Sequence, residues 1–172
     1  MTAPTTGARL HAALIDALAP VTRWRHPFPG DGQPVRVNDT GLDVWENHVG
    51  DARIDPDGPG GTPGTAHAYL FLQTGPGGNA HTRATRAASL TVWRPILTFA
   101  GGTPRKVQWG LDRARPLLDG LVLTDATGRP ITSPFHEGLL PSEQYDPGPL
   151  QVDTDPSPPR WFVPIQLACQ AR

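Results

Sequence analysis

The sequence predicts an α+β fold, in which an antiparallel or mixed β-sheet carries two α-helices packed on one face and is joined by long Pro/Gly-rich loops. Three observations predict it. Two segments repeat their apolar residues at helical spacing, and several apolar runs of strand length lie between and after them. The 172 residues also include 19 glycines and 21 prolines, a high share that indicates long irregular connections. We expect a single domain over residues 1–172.

The chain begins with a predicted amphipathic helix over residues 6–19, whose apolar residues recur at helical spacing: Leu10, Leu14, Ala17 and Leu18. Pro20 ends it, because proline cannot continue a helix. A helix of this length is marginal alone, so its leucine stripe must pack against another element. Residues 33–37 then include Pro34, which is tolerated only where a strand needs no N–H, and they predict a short strand at a sheet edge.

Residues 38–65 are predicted to form a long loop insertion. Apolar periodicity fails there, and residues 55–64 consist almost entirely of turn formers. A loop of this length is uncommon inside a compact domain and is usually functional or disordered. Leu42, Val44 and Trp45 are expected to anchor its first half.

Two strands are predicted after the loop. Residues 66–73 are apolar at nearly every position, which is typical of a strand covered on both faces. Residues 88–99 predict a long strand with Val92 on one face and Trp93 on the other. Pro95 within it indicates an edge position or a bulge.

The second helix has the clearest boundaries in the sequence. Thr103 is a capping residue, Pro104 occupies the first helical position, and Gly120 stands where a left-handed C-terminal cap is needed. The apolar stripe between these ends consists of Val107, Leu111, Ala114 and Leu118.

The remainder of the chain predicts further strands. Leu121–Leu123 is expected to start one, and residues 126–159 are rich in turn formers. Residues 160–170 alternate between two faces, which is typical of a C-terminal strand with one buried face. The turns between neighbouring strands are of the hairpin type.

Charge and composition exclude several functions. The net charge is −1 and no basic run is present, so the sequence lacks the electrostatic footprint of a nucleic-acid-binding protein. No apolar stretch is long enough to cross a bilayer, and the first residues lack the charged start and apolar core of a secretion signal. We therefore expect the protein to stay in the compartment where it is made. Cys169 is the only cysteine, and its place among the inward residues of the last strand indicates an inert core thiol.

No sequence pattern predicts catalysis, a cofactor or a metal site. The six histidines form no His-x-His or His-x-x-x-His pair, and the acidic stretch 51–58 lacks the spacing and the bidentate glutamate of a calcium loop. The glycines at 75–78 are not followed by a lysine-bearing helix that would bind phosphate. A small enzyme that uses His81 or His136 with Asp or Glu partners, or a small-molecule binding domain, stays as an alternative.

Tryptophan and arginine predict an interaction surface. Five tryptophans exceed what one core of this size requires, so some must lie near the surface. Aromatic residues beside arginine are typical of interface hot spots. The predicted candidates for a subunit or partner interface are Trp93, Arg94, Arg105, Trp109, Arg113 and Trp45. The alternative is that these tryptophans cover the sheet edge under loops.

Five features follow one another along the chain. They are an N-terminal amphipathic helix, an apolar strand at 67–73 with its Gly-Pro-Gly turn, a segment at 90–103, a helix ending at 113–120 and an aromatic strand at 159–165. This arrangement resembles the tail terminator, or tail-completion, family of long-tailed bacteriophages. The resemblance covers roughly two thirds of the chain, and its motifs are architectural rather than chemical. The long segment at 38–64 departs from the family's usual pattern.

The resemblance implies a subunit of a hexameric ring that caps the tail tube, ends its polymerisation and joins the tail to the head connector. Its implied partners are further copies of this chain, the tail tube protein and the head-tail connector or stopper protein. DNA would only pass through the lumen, and no membrane, cofactor or catalytic residue is implied. The implied location is the virion tail, after assembly in the host cytoplasm. A connector stopper or minor tail subunit is the alternative.

Overall fold

The computed structural model describes residues 6–47, 49, 67–74, 91–132, 139–141, 148–155 and 159–171, and these contain two α-helices and nine β-strands. The helices are α1 (Thr6–Leu18), which continues into a 3₁₀ turn at Ala19–Val21, and α2 (Pro104–Leu118). The strands are β1 (Thr22–His26), β2 (Val35–Arg36), β3 (Leu42–Glu46), β4 (Tyr69–Gln73), β5 (Thr91–Trp93), β6 (Ile96–Gly101), β7 (Leu140–Pro141), β8 (Gln151–Asp153) and β9 (Arg160–Ala171). The mixed sheet and its two helices confirm the predicted α+β class.

The sheet is mixed because three neighbouring strands are parallel. Its order is β2-β1-β3-β4-β6-β9-β5, and β7 and β8 also pair with β9. β1, β3 and β4 run parallel to one another, whereas the other described pairings are antiparallel. β2 lies at one end of the order, which confirms the edge strand predicted at residues 33–37. The carboxyl ends of the three parallel strands meet at one edge of the sheet, so side chains that follow them can converge there.

β5 and β6 together correspond to the long strand predicted at residues 88–99. Both pair with β9 in one register, and between them Pro95 O accepts a hydrogen bond from Leu167 N at 3.0 Å. Proline has no N–H to donate, so the hydrogen-bond ladder is interrupted at this point. The alternation along this line points Trp93 and Leu97 toward the helices, where both are buried.

The loop insertion predicted at residues 38–65 is wrong in its first half. β3 lies in the interior of the sheet, paired with both β1 and β4. The sequence does not reveal this strand, because its charged residues are typical of exposed positions. In the structure Asp43 is buried in a bidentate ion pair with Arg23, with both N–O distances at 2.9 Å. Residue 48 and residues 50–66 lie outside the described residues.

The strand predicted to start at Leu121–Leu123 is also wrong. This segment is irregular, although Leu121 O accepts from Leu139 N and Leu123 O accepts from Ile131 N, each at 2.9 Å. Two of its carbonyl groups therefore accept hydrogen bonds from two separate later segments, rather than from one neighbouring strand. The strand predicted at residues 160–170 is confirmed as β9. The turn-rich region 126–159 contributes two short strands, β7 and β8, and both pair with β9.

Both helices pack on one face of the sheet and enclose the main hydrophobic core with it. The three leucines of the stripe predicted for α1 are fully buried, whereas Ala17 is half-buried. α2 contributes Val107, Ala114 and Leu118 to the core, and Leu111 packs against it half-buried. Thr103 caps α2 as predicted, because its Oγ1 accepts from Lys106 N at 3.3 Å. Gly120 has a φ of 69°, the left-handed conformation that its capping position requires.

Candidate interaction surfaces

The outward side of α2 carries an aromatic residue between two arginines. Arg105, Trp109 and Arg113 follow each other at intervals of four residues, so they form one row about 12 Å long on the helix; we call this row the α2 stripe. The Arg113 guanidinium lies 4.5 Å from the centre of the Trp109 ring, which is a cation–π contact. Trp109 is half-buried against the core, and both arginines are exposed. Neither arginine has an ion-pair partner in the described part of the chain.

The other three predicted interface residues lie apart from the α2 stripe. Arg94 is exposed between β5 and β6. Trp93 is only 1% exposed and belongs to the main core, so its prediction as a subunit contact is wrong. The reason is that its strand turns it toward the helices, opposite Cys169 on β9, which is also buried. Trp45 lies half-buried on the opposite face of the sheet.

The sheet face turned away from the helices carries a second aromatic cluster around Trp45. The Trp45 ring stacks on His26, with centroids 3.8 Å and planes 5° apart. Burial lowers the pKa of His26, which favours the neutral imidazole in this stack. Tyr69 and Ala100 are buried beside them, and the Arg160 guanidinium lies 5.9 Å from the Tyr69 ring centre. This face is therefore an aromatic layer independent of the helix-covered core.

A cavity of about 450 Å³ opens between α1, β1 and the segment that carries β2. We call it the β2 groove, and its apolar walls are Ile15, Ala19, Pro27, Val35, Val37 and Val44. Val35 and Val37 are 55% and 39% exposed, and the neighbouring Phe28 is 48% exposed. Exposed apolar side chains that cluster around a concave surface are typical of an interaction site.

The arginines at the β2 groove are paired with carboxylates, whereas two of its aspartates are not paired with cations among the described residues. Arg25 lines it but is bound to Glu46, and Arg36 on β2 is bound to Asp39 at 3.2 Å. Asp16 and Asp31 also line it, and neither has an ion-pair partner in the described part of the chain. The groove is therefore apolar with two free carboxylates.

A polar cluster forms where the parallel strands end, which we call the carboxyl-end cluster. His11 on α1 donates from Nε2 to Glu46 Oε2 at 2.6 Å, and Arg25 at the end of β1 binds the same carboxylate. In the tautomer that carries its proton on Nε2, His11 accepts at Nδ1 from the Thr74 hydroxyl at 2.9 Å. Asn47 donates from Nδ2 to Thr74 Oγ1 at 3.2 Å, and its Oδ1 accepts from Thr74 N at 2.8 Å. These contacts tie α1 to the ends of β1, β3 and β4.

Glu46 is the electrostatic centre of this cluster. Burial alone would raise its pKa, but hydrogen bonds from His11 and Arg25 and the charge of Arg25 outweigh burial and hold the pKa of Glu46 below its ordinary value. The carboxylate is therefore ionised and paired. The cluster also contains a chain of hydrogen bonds from the hydroxyl of Thr74 to the imidazole of His11 and on to the carboxylate of Glu46. The same sequence of groups activates the nucleophile in many hydrolases.

The sequence contained only part of the signal for these sites. Val35 and Val37 alternate around Arg36 and predict the edge strand, but their exposure depends on how that edge meets α1. The carboxyl-end cluster joins His11 to Thr74, 63 residues apart, and no spacing rule connects such positions. His81 and His136, the residues of the alternative enzyme prediction, lie outside the described residues.

Comparison of the chain with protein-family models and curated proteins identifies no relative. No protein-family model matches the chain, and no curated protein matches it at a significant level. Within the described residues, no three His, Cys, Asp or Glu side chains are grouped as they would be to hold a metal ion. None of the described helices is long and apolar enough to cross a membrane.

Proposed function

We propose that this chain is a structural subunit of a bacteriophage tail, of the tail terminator type, which forms a ring on the tail tube, ends its polymerisation and joins the tail to the head connector. The observation that carries this proposal is the presence of two unlike association surfaces on one subunit, the α2 stripe and the β2 groove. A ring needs head-to-tail contacts, and head-to-tail contacts need two different surfaces on every subunit.

The order of elements supports the same proposal. The resemblance to tail terminators depends on an amphipathic helix, an apolar strand, a capped second helix and an aromatic last strand. The α+β frame contains these elements in that order, as α1, β4, α2 and β9. The net charge of −1 suits a ring around DNA, because a strongly basic lumen would bind the phosphates and slow their passage.

The proposed partners are five further copies of this chain, the tail tube protein and the head-tail connector or stopper protein. The proposed location is the head-tail interface of the virion, after assembly in the host cytoplasm. A connector stopper or minor tail subunit is the alternative within the same structure. Binding to isolated connectors and not to tail tubes would favour that alternative.

The proposal is tested by the mass of the purified chain and by its binding to tubes. Size-exclusion chromatography with light scattering is expected to give a multimer, and electron microscopy is expected to find it at one end of tail tubes assembled from the tube protein of the same phage. A strict monomer that never associates with tail tubes would contradict the proposal.

A second candidate function, hydrolysis, is favoured by one observation, the hydroxyl–imidazole–carboxylate order in the carboxyl-end cluster. In this case Thr74 would be the nucleophile, His11 its base and Glu46 the group that orients the base. The test compares the wild type with Thr74→Val and His11→Gln in the hydrolysis of an activated ester. Wild-type turnover that both substitutions abolish, with assembly unchanged, would favour the enzyme. A wild-type rate equal to that of buffer alone would exclude Thr74 as a nucleophile.

A further inference from the structure

We propose that neighbouring copies of this chain mate through one specific pair of surfaces: the α2 stripe of one copy seats in the β2 groove of the next. This inference rests on the proposed ring and goes beyond it by naming the two faces that meet. Charge, apolar character and position within the fold each support the pairing.

Charge complementarity is the first argument. The groove presents Asp16 and Asp31 without ion-pair partners among the described residues, while its cations are already bound within the same copy. The stripe presents Arg105 and Arg113 in the same unpaired condition. Asp112 on the neighbouring side of α2 accepts a hydrogen bond from Gln108 at 2.7 Å, and the stripe keeps an excess of positive charge. Opposite charges on two such surfaces guide association and disfavour wrong partners.

The apolar parts of the two surfaces also fit each other. Interfaces are usually anchored by an aromatic or arginine side chain that enters a pocket, with less important contacts around it. In this proposal the anchor is the exposed Arg113, which the half-buried Trp109 ring supports from its own core. The groove volume of about 450 Å³ lies in the range that accepts ligands much larger than an indole. Val35 and Val37 form an exposed apolar part of the groove wall, and the exposed Phe28 nearby extends the apolar contact beyond the groove.

Position in the fold makes the contact intermolecular. α2 packs on α1, β4, β6 and β9, whereas the groove opens between α1, β1 and the segment that carries β2. None of the stripe residues lines the groove of its own copy. One copy therefore offers the stripe to a neighbour on one side and the groove to a neighbour on the other. Such an arrangement produces a ring when the rotation closes.

Charge reversal and its compensation test this pairing. The full-length wild type is compared with Asp31→Arg, Arg113→Asp and the double variant by light scattering and sedimentation over a range of concentrations. Each single reversal is expected to weaken self-association at least tenfold, and the double variant is expected to restore it to within about threefold of wild type. Asp155→Arg, exposed after β8 at the other end of the sheet, is the matched control and is expected to change nothing.

Three results would overturn the pairing. A multimer that resists both single reversals, or a double variant that stays as weak as the singles, would exclude the stripe and groove as mates and leave the proposed ring intact. Wild-type protein that is monomeric and does not bind tail tubes would contradict the ring and the pairing together. Circular dichroism of each variant separates lost association from lost folding.

A cross-link provides a measurement that does not depend on charge. The variant with Asp31→Cys and Arg113→Cys is oxidised under mild conditions and run on a non-reducing gel. The proposal expects a ladder of head-to-tail multimers, which neither single cysteine variant forms beyond a dimer. Native Cys169 does not interfere, because it is 5% exposed. Absence of the ladder in a sample that is multimeric would contradict the pairing.

Discussion

Replacing Glu46 by Gln tests whether the carboxyl-end cluster holds α1 to the sheet. The substitution keeps the shape of the side chain and removes its charge. The carboxylate is 7% exposed and binds His11 and Arg25, and hydrogen bonds to charged groups contribute about 1.5–3 kcal/mol each. The Arg25 side chain is 40% exposed, so solvent weakens its share. We expect the free energy of unfolding near pH 7 to fall by about 2–3 kcal/mol.

The pH dependence of this loss follows from the direction of the pKa shift. The pKa of Glu46 is lower in the folded protein than in the unfolded chain, because hydrogen bonds from His11 and Arg25 outweigh the opposing effect of burial. The charge therefore stabilises the fold above the unfolded pKa of about 4.3, and this stabilisation is lost as the pH falls through the folded value. The wild type and Glu46→Gln should differ most near neutral pH and converge in acid.

Urea unfolding followed by tryptophan fluorescence, repeated from neutral to acid pH, measures the effect. Asp119→Asn is the matched control, because Asp119 is 57% exposed and lies 3.8 Å from Arg115 in a surface pair. Its loss should stay below about 0.5 kcal/mol at every pH. A Glu46→Gln variant that unfolds like the control near pH 7, or that loses as much in acid as at neutral pH, would refute the reasoning.

Two further predictions concern backbone fit and thiol burial. Gly41→Ala should cost more than about 3 kcal/mol in urea unfolding, because φ is +138° and an added Cβ would lie 2.4 Å from Val21 O. Gly128→Ala, with φ +78° and open space around it, should cost only about 1–2 kcal/mol, and equal losses would contradict this account of the β1–β3 approach. Burial raises the pKa of Cys169 to about 12, so a thiol reagent should label it only after unfolding; rapid labelling of the folded protein would show that the thiol is accessible.

Local signals in the sequence predict most of the helices and several strands. Thr103 and Gly120 mark the ends of α2 because capping depends on the residue at that position and its immediate neighbours. The leucine stripe of α1 and the alternation of β9 likewise depend only on periodicity. These elements were predictable because their determinants lie within a few residues of each other.

The central strand and the parallel pairing required contacts that no local pattern contains. The sequence predicts a loop at β3 because Asp43 and Glu46 are residue types that are usually exposed. In the structure both are buried, and each forms an ion pair with an arginine of β1. The excess of tryptophans over what one core needs indicates that some lie at the surface, and this made Trp93 a surface candidate. In the structure Trp93 is buried in the main core, Trp109 and Trp161 pack against that core, and Trp45 lies in the second aromatic layer. The sequence could not predict which face the helices would cover.

One of the two candidate surfaces was predictable from the sequence and the other was not. The row of Arg105, Trp109 and Arg113 follows from helical spacing alone, and its exposed arginines agree with that spacing. The β2 groove was not predictable, since it forms only where α1, β1 and the edge strand meet. Its two carboxylates, Asp16 and Asp31, stand 15 positions apart in the sequence.

The central claim is that this chain functions by assembling with its own copies and with a tail tube. Electron microscopy of the purified full-length protein mixed with tail tubes tests that claim most directly. A closed ring of six subunits seated at one end of each tube is the predicted result. Tubes that keep bare ends and continue to grow in the presence of a strictly monomeric protein would contradict it.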